Sequence, residues 1–164
     1  MSQVQNQNPT QTQIATIRKY VKLRHGDLKE LSDLQLTIMN FIDVVKEKMS
    51  QTWYEMHMDM TLHEFLVERL MWSGKAVFHC PEYEFLTNGF RKCVEERADK
   101  ILNEVLYDPE HEDMIDFVLE LKDWGLEDLT FRELETISTI IDDIIGYCGE
   151  RGYGPDDSLD DCFS

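Results

Sequence analysis

Three capping boxes, each leading into apolar residues at three- and four-residue steps, commit about a third of this 164-residue chain to helix and set its pattern. In such a box a Ser or Thr oxygen accepts a backbone N–H three residues on, and a Glu or Gln reaches back to the cap, satisfying two orphan donors of the first turn. Ser32-Asp-Leu-Gln35 opens a stripe of Leu34, Ile38, Phe41, Ile42, Val45, Met49, Trp53 and Met56, which predicts one helix from about 33 to 57. Thr61-Leu-His-Glu64 opens a helix bearing Phe65, Leu66, Leu70 and Met71, with Gly74 as its stop. Thr130-Phe-Arg-Glu133 opens a last helix bearing Leu134, Ile137, Ile140, Ile141, Ile144 and Ile145, after which Gly146 and Gly149 loosen the chain.

Between these anchors the helical period continues. Ile14, Ile17, Val21 and Leu23 predict a short basic helix over 14–25, ended by Gly26. Residues 75–80, KAVFHC, form an isolated apolar run without a pairing partner and read as a connector. Pro81 suits a first helical turn, and the period then runs through Phe85, Phe90, Cys93 and Val94 to Leu106, with Asn88-Gly89 as a break. Asp108-Pro109 starts a helix over 109–124 that Gly125 ends. The expected fold class is all-α: a single-domain bundle of five to seven helices over 14–151, between a polar disordered tail at 1–13 and an acidic flexible tail at 152–164.

A chain of this length buries a core without staples. Three Trp, eight Phe and eight Met exclude a wholly disordered acidic protein. Cys80, Cys93, Cys148 and Cys162 are widely spaced and follow no N-terminal apolar segment, so the expectation is separate, reduced thiols in a cytoplasm, the host's if the chain is viral. No run of 18 apolar residues predicts a membrane span.

Charge is distributed unevenly. Residues 1–94 hold 11 Asp/Glu and 11 Lys/Arg, whereas residues 95–164 hold 22 and 5, so the second half carries the whole formal charge of −17. Such a surface repels phosphates and attracts cationic protein surfaces or metal ions. Over 109–124, Glu110, Glu112, Asp113, Asp116, Glu120 and Asp123 occupy about 24 Å of helix, one carboxylate per roughly 4 Å, against about 3.4 Å per phosphate of a DNA strand. The last helix adds Glu133, Glu135, Asp142 and Asp143. Antiparallel packing of these two helices would set two rows of negative charge side by side, provided the carboxylates share one face. Solvation and helix N-termini account for some of the acids but not for the scarcity of lysines that i,i+4 pairing would use.

Other chemistries fit less well. Glu96-x-x-Asp99 and Glu120-x-x-Asp123 have the spacing with which helical nucleotide pyrophosphatases hold Mg²⁺, but this composition supplies about seven such pairs by chance. Asp156 to Asp160 begins like an EF-hand loop, yet Asp161 stands where Gly is needed and no bidentate Glu follows. His57 and His63 enclose five residues, the upper limit for a zinc pair, but no C-x₂-C pair accompanies them, and Cys80 and Cys93 read as core filling. Asp156, Asp157, Asp160 and Asp161 ahead of Phe163 distantly resemble the acidic tips of bacterial single-stranded-DNA-binding proteins; the resemblance implies carboxylates steering to Lys/Arg and a ring filling a pocket, although Ser164 follows the aromatic here.

The expected function is therefore non-enzymatic and cofactor-free: an anionic helical face that binds a basic protein surface, most concretely a nucleic-acid mimic inhibiting a DNA- or RNA-binding protein in an anti-defence role, without binding nucleic acid or membrane itself. The alternatives are a Mg²⁺-dependent phosphohydrolase and an adaptor subunit using the apolar N-terminal half.

Overall fold

Asp27, not Ser32, opens the longest helix. In the computed structural model, which describes residues 9–85 and 87–163, Asp27 has extended backbone and its carboxylate accepts the Glu30 N–H at 2.9 Å. Glu30 reaches the other way and accepts the N–H groups of Arg24, His25 and Gly26 at 2.6, 2.8 and 2.9 Å. Helix α2, Leu28–Met49, follows, and Ser50 at φ 113° separates it from α3, Gln51–Met56, so the continuous stripe expected over 33–57 is two helices. Ser50 Oγ caps the second by accepting the Trp53 N–H at 3.0 Å.

The boxes at Thr61 and Thr130 form as the spacing predicts, opening α4, Leu62–Met71, and α9, Phe131–Glu150. Elsewhere the boundaries move. Helix α1 spans Pro9–Tyr20, so residues 9–13 of the expected tail are helical; residues 1–8 lie outside the described residues. Ile14 and Ile17 are buried as α1 packs on α9. Gly74 does not stop a helix but begins α5, Gly74–His79, in place of the expected connector. Pro81 sits in a turn, and Thr87 caps α6, Asn88–Glu96, so Asn88-Gly89 starts a helix rather than breaking one; α7, Ala98–Leu106, follows directly. Asp108 holds a turn by accepting the Glu110 N–H at 3.0 Å, which delays α8 to Asp113–Asp123. Gly125, at φ +81°, ends it as expected. Gly146 and Gly149 lie inside α9.

The acidic C-terminus is not a flexible tail. Residues 152–163 fold back, and α10, Leu159–Phe163, buries Leu159 and Cys162. Leu159 N–H donates to Gly26 O at 2.8 Å and Leu28 N–H to Asp157 O at 3.1 Å, fastening the segment to the start of α2. The fold is all-α, with ten helices and no strand among the described residues; short α3, α5 and α10 and the split stripes account for the excess over five to seven. No helix among them is long and apolar enough to cross a membrane.

Helix α2 packs on α3, α8 and α9, while α4 packs on α5, α6, α7 and α8. Phe41 of α2, Phe65 of α4 and Phe131 of α9 meet with ring centroids 5.4–5.8 Å apart, the range of favourable aromatic pairs. The cysteines are paired, Cys80 with Cys93 and Cys148 with Cys162, which corrects the expectation of separate reduced thiols. Sequence separations of 13 and 14 looked like independent positions, but the chain leaving α5 meets α6 at Cys93 and the C-terminus folds back onto α9.

Candidate functional site

Helices α8 and α9 do not lie side by side as expected. Each packs on α2, because the 124–130 connector buries Leu126 and Leu129 and is tied to the α3–α4 connector instead of folding α8 onto α9. The flanks of α2 are marked by two contacts: Thr37 Oγ1 lies 3.4 Å from Glu120 of α8, and Gln35 Nε2 lies 3.3 Å from Asp142 of α9. The acidic face is thus three helices wide.

On α8 the carboxylates do share one side. Asp113, Asp116, Glu120 and Asp123 are all exposed, and at about 100° per residue they fall within roughly 80° of arc, opposite buried Met114, Ile115, Val118 and Leu121. Lys122 is the sole cation of that helix. Two members of the row, Asp113 and Asp116, and the acids just before it are engaged locally. Asp113 lies 3.9 Å from Lys48, and Asp116 accepts from His111 Nε2 at 3.1 Å. The His111 pKa is raised, first by the Asp108 carbonyl on Nδ1 and then by Asp116. Glu112 clamps the partly buried Arg69 through two oxygens, and Glu110 stands in the turn before α8.

On α9 the row divides. Glu133 is used in the Thr130 capping box, and Glu135 accepts the Tyr54 hydroxyl at 2.8 Å. Burial, and then this carboxylate, push the Tyr54 phenol far above its ordinary pKa. Asp142 faces α2, whereas Asp143 turns towards α1 and accepts from Gln13 at 2.9 Å. Among the C-terminal residues, Asp157 accepts the Gly154 N–H, Asp160 pairs with Arg18 at 2.6 Å, and the Asp161 carbonyl accepts the Tyr153 hydroxyl. Phe163 stacks on Tyr147 with centroids 5.5 Å apart, so it is not the free anchor that the tip resemblance implies.

Sequence reading missed a cleft of about 570 Å³ where the 24–27 loop, the start of α2 and the end of α8 meet. Asp33, Glu120, Asp123 and Asp156 line it beside Arg24, His25 and Lys29, with Trp124 as its aromatic wall. Glu30 supports the rim. Burial alone would raise its pKa, but three backbone donors and the Trp124 indole outweigh that and leave it below the ordinary value. The Asp27-x-x-Glu30 spacing, itself a capping-box pattern, was the available signal.

Among the described residues no three His, Cys, Asp or Glu side chains converge to hold a metal ion. Glu96 and Asp99 fall on different helices, separated at Arg97, and His57 stacks on Trp53 while His63 is exposed on α4. The connectors that precede α2, α4, α9 and α10 are all shorter than the about twelve residues of a calcium loop. What the arrangement offers is a broad carboxylate surface with a mixed-charge cleft at one end. No protein-family model matches the chain, and no curated protein or solved structure matches it either.

Proposed function

We propose that this chain is a non-enzymatic binding protein whose acidic helical surface docks on a basic groove of another protein, in its most concrete form a nucleic-acid mimic that occupies the site of a DNA- or RNA-binding protein, as an anti-defence inhibitor does. The observation that carries this reading is the α8 row: four exposed carboxylates on one side of one helix. Like charges so placed oppose folding, and a cationic partner relieves that repulsion. Capture from native cells at low and high salt, followed by competition with duplex DNA and RNA, tests the proposal. Salt-sensitive capture that nucleic acid displaces, and that Lys at 113, 116, 120 and 123 abolishes, is the expected result; salt-insensitive capture without competition overturns it.

An adaptor role, expected of the apolar N-terminal half, draws its support from further along the chain, at residues 72–107. Trp72, Val77, Phe78, Tyr83, Phe85, Leu106 and Tyr107 are exposed, Phe78 at 78% and Tyr107 at 80%, on or beside α5, α6 and α7. Trp72 and Phe85 pack edge to face at 5.1 Å. Exposed aromatic side chains that pack on one another in this way are a mark of interaction surfaces. Capture that survives high salt and charge reversal but is lost in a Phe78→Ser, Tyr107→Ser variant assigns the interface to these residues. Cytoplasmic residence, the expectation from sequence, would hold both cysteine pairs open, so the paired cysteines favour an oxidising compartment, and the thiol state of the chain taken from native cells decides between the two.

A further inference from the structure

The outer side of α2 is not uniformly polar. Leu36 is 59% exposed and Met39 49%, one turn apart, in a helix whose other large apolar residues face the core. Asp33, Leu36, Asn40, Asp43 and Glu47 follow one another at three- and four-residue steps and are all exposed, so carboxylates stand above and below the apolar pair. Met39 leans to the α9 side, where it shares a shallow groove with Asp43, Glu135 and Thr139. Glu120 flanks the strip from α8 and Asp142 from α9. Between Lys29 and Lys46, α2 carries no cation.

From this pattern we infer that α2 is the docking line of the acidic surface and that its occupant is a cationic amphipathic helix, with apolar side chains seated on Leu36 and Met39 and Lys or Arg on both flanks. The inference rests on the acidic-surface reading above and narrows its partner. Charge complementarity selects the occupant: an apolar strip two residues long holds little by itself, and a carboxylate border rejects any apolar segment that lacks flanking cations. A phosphate-like surface needs no apolar centre, because it is recognised by charge and spacing alone. A helix laid along α2 uses both features, reading the strip as anchor and the border as register.

The test uses the full chain and two synthetic probes of equal charge: a helical peptide with a leucine stripe between lysine rows, and oligolysine. At about 0.15 M salt the amphipathic peptide is expected to bind at least about tenfold more tightly than oligolysine. Leu36→Asp with Met39→Asp, which adds negative charge, is expected to erase that preference while leaving oligolysine binding equal or stronger. Amide shifts of labelled protein are expected to cluster on residues 33–43 with Glu120 and Asp142. Leu36→Ser with Met39→Ser, neutral and exposed, gives the same loss without a charge change. Equal binding of the two probes, or a preference that survives both double variants, overturns the α2 assignment and leaves the acidic-surface reading standing. Failure to bind either probe at low salt overturns both. A preference lost only in Phe78→Asp, Tyr107→Asp moves the apolar contact to the exposed aromatic residues and overturns the assignment as well.

Discussion

Thr61 and Thr130 face each other across an antiparallel bridge while each caps its own helix. The Leu62 N–H donates to Leu129 O at 3.0 Å and the Phe131 N–H to Met60 O at 3.2 Å, so the first turns of α4 and α9 are held together at their starting points. Removal of either hydroxyl leaves a first-turn donor unsatisfied. Thr61→Ala and Thr130→Ala are each expected to cost about 1 kcal/mol in urea unfolding. The double variant is expected to depart from additivity by about 0.5 kcal/mol, because the two caps share one backbone junction.

Glu30 has the opposite of an isolated role. Its carboxylate organises residues 24–26 and the cleft rim, and its folded pKa lies below the ordinary value of 4.5. A depressed carboxyl contributes stability that is present above the unfolded pKa and lost as pH falls through the folded one. Glu30→Gln is expected to destabilise the protein at pH 7 by about 1–2 kcal/mol and to flatten the acid limb of a stability-against-pH curve below about pH 4.5.

His111 titrates in the other direction. The Asp108 carbonyl and the Asp116 carboxylate raise its pKa, so its contribution is full below the unfolded value of about 6.5 and is lost as pH rises through the folded one. Ring-proton shifts followed by NMR are expected to give a midpoint above 6.5 that Asp116→Asn moves back towards it. A midpoint unmoved by that substitution would remove Asp116 as a cause.

These residues show what was legible in the sequence and what was not. The boxes at Thr61 and Thr130 were read correctly because cap, spacing and apolar stripe agree at one place. At the start of α2 two boxes compete, Asp27-x-x-Glu30 and Ser32-x-x-Gln35, and the winner is decided by a segment 130 residues away that bonds Gly26 and Leu28. No local signal carries that. The α8 acids were countable from sequence, but their common side was left as a condition there and is supplied by the bounds of α8 and the exposure of Asp113, Asp116, Glu120 and Asp123. The neighbour of α8 was not legible, because a short connector favours an adjacent hairpin unless something intervenes, and α2 intervenes. Leu36 and Met39 left a trace that went unread: they are apolar residues off the Leu34, Ile38, Phe41 stripe.

The cysteine pairs make a prediction that composition pointed away from. A bridge closing a loop of 13 or 14 residues restricts the unfolded chain, and at that length each contributes about 3 kcal/mol. Intact mass after alkylation without reductant is expected to show no modified thiol, and reduction is expected to lower Tm. Cys148→Ser with Cys162→Ser should in addition expose the C-terminal segment to protease, since α10 is then held only by non-covalent contacts: buried Leu159, the Asp160–Arg18 pair, the Phe163–Tyr147 stack and a few backbone bonds.

Ser50 tests whether the break between α2 and α3 is a strained joint. Its φ of 113° and ψ of 157° lie where essentially only glycine sits without cost, and holding a side chain there costs on the order of 1–3 kcal/mol. Against this, Ser50 Oγ caps α3, and replacement of a serine cap by glycine costs only a few tenths of a kcal/mol. The two effects do not balance: Ser50→Gly is expected to stabilise the protein by about 1 kcal/mol, whereas Ser50→Ala keeps the strain, loses the cap and should destabilise it by a similar amount. Thermal melts of the two variants therefore move in opposite directions about the parent. Parallel shifts would mean that the backbone at this joint relaxes freely, and the single stripe from Leu34 to Met56 would then be one bent helix rather than two.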